Sequence, residues 1–195
     1  MTNYLLSVDP ATSVAGFLLW RAGVPLHSMS IKTDRAAAVP EKIKLIIEGA
    51  NTWLNEKLAF EERGSLTLIV ERAGFMKVPK LVGGKKTWVD SPSMMVLREI
   101  TGAIEGWAAV EGWECETVEP RFWKVAAGIK PVSEKGEVHK ALEGIWADSE
   151  LGNAWIQMAP GYNRTREQWM NWWRNMDPNS KDSFGIGLYA VRRMP

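Results

Sequence analysis

The chain has 195 residues, enough for one domain with a core of its own. Its 46% hydrophobic and 24% charged residues are ordinary for a globular protein, and a net charge of +1 supplies no global field for nucleic acid, so any basic surface must be local. The single cysteine, Cys115, excludes an intramolecular disulfide and a multi-cysteine metal site, and it fits a reducing cytosol.

Residues 3–8 (NYLLSV) form an apolar run of the kind found in a central strand. Residues 14–20 (VAGFLLW) read as a second strand. Arg21-Ala-Gly-Val24 is a tight connection to a third strand at 25–32, where His27, Met29 and Ile31 alternate with Ser28, Ser30 and Lys32 and Pro25 suits an edge. Over 40–59 the period changes: Ile43, Ile46, Ile47, Ala50, Trp53 and Leu54 recur at helical spacing. Residues 66–70 (LTLIV) are a fourth strand ending at Glu71. Residues 73–91 read as a long loop rich in glycine and lysine.

Ser91-Pro92 suits the N-cap and first turn of a helix to about 110, with Leu97, Ile100, Ile104 and Trp107 inward. A fifth strand at 113–118 and a short helix from Pro120 to Gly128 follow. Residues 129–163 are harder to read and look inserted, although Val138, Ala141, Leu142, Ile145 and Trp146 share one helical face within 137–147. Thr165-Arg-Glu-Gln168 is a capping box, opening a helix with Trp169, Trp172, Trp173 and Met176 on one side. Asp177-Pro-Asn-Ser180 is expected to break it, and a last helix to run from about 182 to 192. The 11 tryptophans are either packing mass or a stacking surface for bases or a partner.

Right-handed crossovers make strands four and five parallel to strand one. The economical architecture is one α/β domain over 1–195, with a mixed five-stranded sheet in the order 3-2-1-4-5, the first three strands antiparallel and helices on both faces. That order sets Asp9 beside Glu71 at adjacent strand ends. Two ionised carboxylates there repel unless a cation joins them. With one cysteine, and with His27 and His139 in no ligand-like spacing, hard oxygen donors suit Mg²⁺ or Mn²⁺. A third acid is expected close by, and Asp182 stands in a small-residue stretch, DSFGIGLYA, that lets a helix lie close to a sheet. Other readings exist for each acid: Asp9 can open a turn before Pro10, Glu71 can pair with Arg72 at the surface, and Asp182 can serve a helix N-terminus.

Five segments taken together resemble RuvC-type Holliday junction resolvases, members of the RNase H-like nuclease superfamily: SVDPATSVAG, LIVERAGFM, VEPRFWKVAAG, TREQWMNWWRNM and KDSFGIGLYA. They span nearly the whole chain. The resemblance implies an RNase H-like fold and makes Asp9, Glu71 and Asp182 catalytic metal ligands. It further implies two Mg²⁺ ions per site (Mn²⁺ substituting), about 4 Å apart, in an in-line displacement on DNA. Where the family carries an acid or a histidine three residues before the last Asp, this chain has Asn179, a neutral candidate; Asp177 is the substitute metal ligand if the turn folds inward. Candidate DNA contacts are Arg72, Phe75 (in place of the family's junction-wedging aromatic), Lys77, Lys80, Lys85, Lys86, Lys124, Arg164, Arg166 and Lys181. A solvated loop is the plainer reading of the lysines at 77–86, and a buried anchor that of Phe75.

The expected enzyme is a homodimeric crossover junction endodeoxyribonuclease making paired nicks in four-way or branched DNA, because a junction has two symmetric scissile strands. The expected location is the cytoplasm of a bacterium or of a phage-infected host. No apolar run approaches the roughly 18 residues of a membrane span, and no signal peptide is visible. The alternatives are a phage packaging or flap-type nuclease of the same superfamily, and a catalytically weakened junction-binding protein. An actin- or sugar-kinase-like ATP-binding fold also opens with an Asp and Gly on its first strand. It needs a second phosphate loop that this chain lacks, so no nucleotide cofactor is expected.

Overall fold

The computed structural model describes residues 4–72, 77–82, 85–148 and 165–193. The main sheet has strands β1 (Tyr4–Asp9), β2 (Val14–Arg21), β3 (Val24–Lys32), β4 (Leu66–Glu71) and β7 (Glu114–Val118) in the order β3-β2-β1-β4-β7. β1 pairs antiparallel with β2 and parallel with β4; β4 pairs parallel with β7. This is the expected topology. β1 is buried along its whole length, as its two-faced apolar sequence requires, and its buried Ser7 hydroxyl accepts a 2.8 Å hydrogen bond from Trp20 Nε1. β3 is an edge strand, as β7 is at the other side, and the ladder shifts register between Leu19 and Trp20, where Trp20 comes to pair with Pro25.

Helices α1 (Val39–Lys57) and α3 (Pro92–Glu111) pack on each other, α1 reaching β3 and α3 lying on β4 and β7. A short helix, α2 (Phe60–Arg63), precedes β4. Helix α4 (Pro120–Ala126) is followed by Gly128 at φ 74°, the left-handed conformation in which glycine is favoured. Helix α5 spans Lys135–Ala147 and α6 spans Arg166–Asn175, opened by the predicted capping box: Gln168 N–H donates to Thr165 Oγ1, and Thr165 N–H donates to Gln168 Oε1. Helix α7 (Pro178–Val191) lies across β1, β2, β3 and β4 and is flanked by α4 and α5.

Two expectations need correction. The stretch 73–91 is not simply a loop: β5 (Lys77–Val82) and β6 (Lys85–Asp90) pair antiparallel in a separate two-stranded sheet. Only Gly83 and Gly84 separate them, and a Gly-Gly dipeptide between extended runs is a hairpin signal. The last helix starts at Pro178, not at 182. Asp177 caps it, its Oδ1 accepting from Asn179 N–H at 2.9 Å, and Pro178 takes the first turn, where a missing N–H costs nothing. Ser91 and Pro92 stand at the N-cap and first turn of α3 as expected, the Ser91 hydroxyl pairing with Ser93 Oγ at 2.8 Å and making no capping bond.

The tryptophans described in α5 and α6 are packing mass. Trp146 lies 4.9–5.3 Å, between ring centroids, from Trp169, Trp172, Trp173 and Phe184. The small residues of α7 let it come this close to its neighbours. A Cβ on Gly187 would enter the Trp20 indole, and one on Gly185 would meet the Trp123 ring. Among the described residues no helix is long and apolar enough to cross a membrane.

Candidate active site

The parallel register Val8↔Val70 puts Asp9 and Glu71 at the same ends of neighbouring strands. Asp182 reaches them from α7, five positions into the helix. Their meeting depends on one close approach: a Cβ on Gly16, the antiparallel partner of Asp9, would run into the backbone of Asn179 and Ser180. Only glycine lets the start of α7 touch β2 there. Ser183 completes the junction. Its hydroxyl accepts from Asp9 N–H at 3.0 Å and lies 2.8 Å from the Gly16 carbonyl, to which it donates.

The acids perturb one another. Asp9 is 8% exposed. Burial, then the charges of Glu71 and Asp182, push its pKa well above the ordinary value; Lys135 opposes them and Asp177 adds to them. Glu71 is raised from 4.5 to about 7, chiefly by desolvation and further by Asp182, against the pull of Trp123, Lys124 and Lys135. Trp123 Nε1 donates to Glu71 Oε2 at 2.6 Å. Glu71 and Asp182 line a cleft of about 200 Å³ together with Pro120, Trp123, Lys124, Lys135 and Val138.

The predicted acids therefore converge from β1, β4 and α7. Their donor set, hard carboxylate oxygens held at a chemical cost, suits a divalent cation. They are not closed around one point, however: among the described residues no three His, Cys, Asp or Glu side chains are gathered so as to share an ion. Asp182 is turned toward α5, where Lys135 Nζ lies 2.9 Å from Oδ2 and His139 Nε2 lies 3.0 Å from Oδ1. Asn179 has both ends of its amide engaged, Nδ2 donating to the Val14 carbonyl and Oδ1 accepting from Lys135 Nζ at 2.7 Å. Asp177 acts as a helix cap within range of Asp9.

Of the expected DNA contacts, Lys124 lines the cleft, its Nζ 5.8 Å from the centre of the Trp123 ring. Arg72 is exposed directly after Glu71. Lys181 lies instead over Trp173, at 5.4 Å, and Arg166 donates to the Ala147 carbonyl at 3.2 Å. Phe75 and Arg164 lie outside the described residues, and of Lys77, Lys80, Lys85 and Lys86 only the backbone is described. Sequence reasoning missed Lys135, His139, Trp123 and Ser183. His139 stands four residues after Lys135 on one helix face, but nothing local in the sequence ties that face to Asp182.

The strand order β3-β2-β1-β4-β7, with β1, β4 and β7 parallel, β2 antiparallel to β1 and β3 antiparallel to β2, is the RNase H-like fold. The chain is similar to the Thermus thermophilus RuvC structure, with a TM-score of 0.57 and 16% identity over 96% of this chain and 93% of that one. It is likewise similar to T. thermophilus RuvC in complex with a Holliday junction substrate, with a TM-score of 0.59, again at 16% identity and 96% and 93% coverage. This likeness is one of fold. No protein-family model matches the chain, and no curated protein does.

Proposed function

We propose that this chain is a metal-dependent, structure-selective endodeoxyribonuclease that resolves four-way or branched DNA junctions. The observation that carries the reading is the convergence of Asp9, Glu71 and Asp182, two of them with raised pKa values, at one end of the sheet. Such carboxylates are costly for a fold to keep and are useful when a cation joins them. The similarity in fold to RuvC, including the Holliday junction complex, favours branched DNA as the substrate.

In this reading Asp9, Glu71 and Asp182 hold the divalent ions, with Asp177 a candidate fourth. Bound Mg²⁺ would activate water and stabilise the leaving oxygen. Trp123 holds the Glu71 carboxyl in place through its indole N–H. Ser183 fixes α7 against β1 beside both acids. Lys124, at the cleft wall, is placed to meet a phosphate oxygen. The hairpin β5–β6 follows Glu71 in the sequence and would carry Lys77, Lys80, Lys85 and Lys86 as further phosphate contacts. A two-fold homodimer would address both scissile strands of a junction.

The test is cleavage of a synthetic four-way junction with Mg²⁺ and with EDTA. Wild type should nick it only with the metal. Asp9→Asn and Asp182→Asn should each lose at least about 100-fold in rate while still binding the junction. Near-normal cleavage by either variant removes that residue from the metal set. Junction binding with no cleavage in Mg²⁺ or Mn²⁺ would favour the second reading, a weakened junction binder, for which the ion pair on Asp182 and the neutral Asn179 speak.

A further inference from the structure

Both oxygens of the Asp182 carboxylate are taken by side chains of α5, Lys135 on one and His139 on the other. Four residues apart, these two share a helix face and meet one carboxylate together. The same Lys135 ammonium bridges to Asn179 Oδ1, so it stands between Asp182 and the residue at the position where the family carries an acid or a histidine. Its field also reaches Asp9 and Glu71 and opposes their mutual repulsion. Burial works against its charge, but the hydrogen bond and charge of Asp182, with Asp9 and Asp177, outweigh that and hold its pKa above the ordinary value.

We propose that Lys135 is a tethered cation that occupies the cationic position of this acidic centre and must leave Asp182 before a divalent ion can be held there. The inference rests on the reading of Asp9, Glu71 and Asp182 as a metal-binding nuclease centre. Three observations converge on it. The acids face one another electrostatically yet are not closed around one point, and the residue turned away is the one Lys135 grips. An ammonium is a donor only, and its charge repels a divalent ion held on the same carboxylate. The Lys135 side chain is 52% exposed on a flexible stem, so it can swing clear, whereas His139, at 19%, is enclosed and can keep Oδ1 oriented. Once released, the ammonium remains at the wall of the cleft, where a DNA phosphate is its natural partner.

The experiment is Mn²⁺ binding to the full chain without DNA, followed by titration calorimetry at fixed pH and salt. Wild type, Lys135→Gln, Lys135→Met and Asp182→Asn are compared, with circular dichroism confirming each fold. Both Lys135 variants should bind Mn²⁺ about tenfold more tightly than wild type, the scale of a solvent-screened repulsion between a divalent ion and a nearby ammonium. Asp182→Asn should bind more weakly than wild type. Gln keeps a hydrogen bond and Met does not, so agreement between them assigns the effect to charge. If wild type binds Mn²⁺ but either Lys135 variant binds no more tightly, the role of Lys135 is overturned and the nuclease reading stands. If none of the proteins binds Mn²⁺, the metal-dependent reading fails and this inference with it.

Discussion

Glu71→Gln should stabilise the metal-free protein, and only above mildly acidic pH. In the fold Glu71 ionises at about 7 instead of its ordinary 4.5, because desolvation in the cleft and then the Asp182 charge penalise its carboxylate more than Trp123 and the two lysines support it. Below pH 4.5 the folded and unfolded chains are both protonated at this position, and it contributes nothing. Between 4.5 and about 7 the unfolded chain gives up the proton while the folded chain keeps it, so stability falls as pH rises, and above about 7 the loss is complete. The interval of about 2.5 pH units corresponds to at most about 3.5 kcal/mol, at about 1.4 kcal/mol per unit. Gln has the same shape and offers Trp123 Nε1 the same acceptor without the charge. Thermal melts in EDTA should therefore show the variant up to about 10 °C higher at pH 8 and level with wild type at pH 4. Added Mg²⁺ should raise wild type more than the variant. Equal melting at pH 8, or a gap that persists at pH 4, would refute the reasoning.

Gly16→Ala should cost about 3 kcal/mol in stability by urea denaturation, because its methyl group meets the Asn179–Ser180 backbone and not a side chain that can turn away. The same variant should cleave junctions poorly even when folded, since the contact sets Asp182 relative to Asp9. Neutralising Lys77, Lys80, Lys85 and Lys86 together should lower the slope of log binding constant against log salt by roughly 3 to 4. An unchanged slope would move the DNA surface away from the β5–β6 hairpin.

The sheet was legible in the sequence because each strand is a short apolar run with a visible stop: Asp9 at the end of β1, Arg21 before the turn to β3, Glu71 at the end of β4. Right-handed crossovers then left little freedom in strand order. The hairpin at 77–90 was obscured because Lys77, Lys80, Lys85 and Lys86 interrupt its hydrophobic alternation, and composition alone read as loop. The start of α7 was misplaced because Asp177-Pro178-Asn179 carries turn residues that equally well cap a helix. Asp9, Glu71 and Asp182 could be singled out as candidates because each lies at the end of a strand or in a small-residue helix whose direction is fixed by packing. Lys135 and His139 were not, because their role arises from how α5 docks on α7. That docking is set by Val138, Leu142 and Trp146, buried residues that announce a helix face but not its neighbour.

The touch between Gly16 and the first turn of α7 also bears on when the three acids can come together during folding. It joins parts of the chain far apart in sequence: Asp9 bonds to Ser183 across 174 positions, and Asn179 to Val14 across 165. Such distant pairings carry a large loop-closure cost and form late. The hairpin of β1 and β2 can assemble early from neighbouring residues, yet it holds Asp9 alone. Asp182 arrives only with the helix that finishes covering the sheet. A half-folded chain therefore displays its first acid without its third, and a nuclease built this way would gain its capacity to cut only in the step that completes its core.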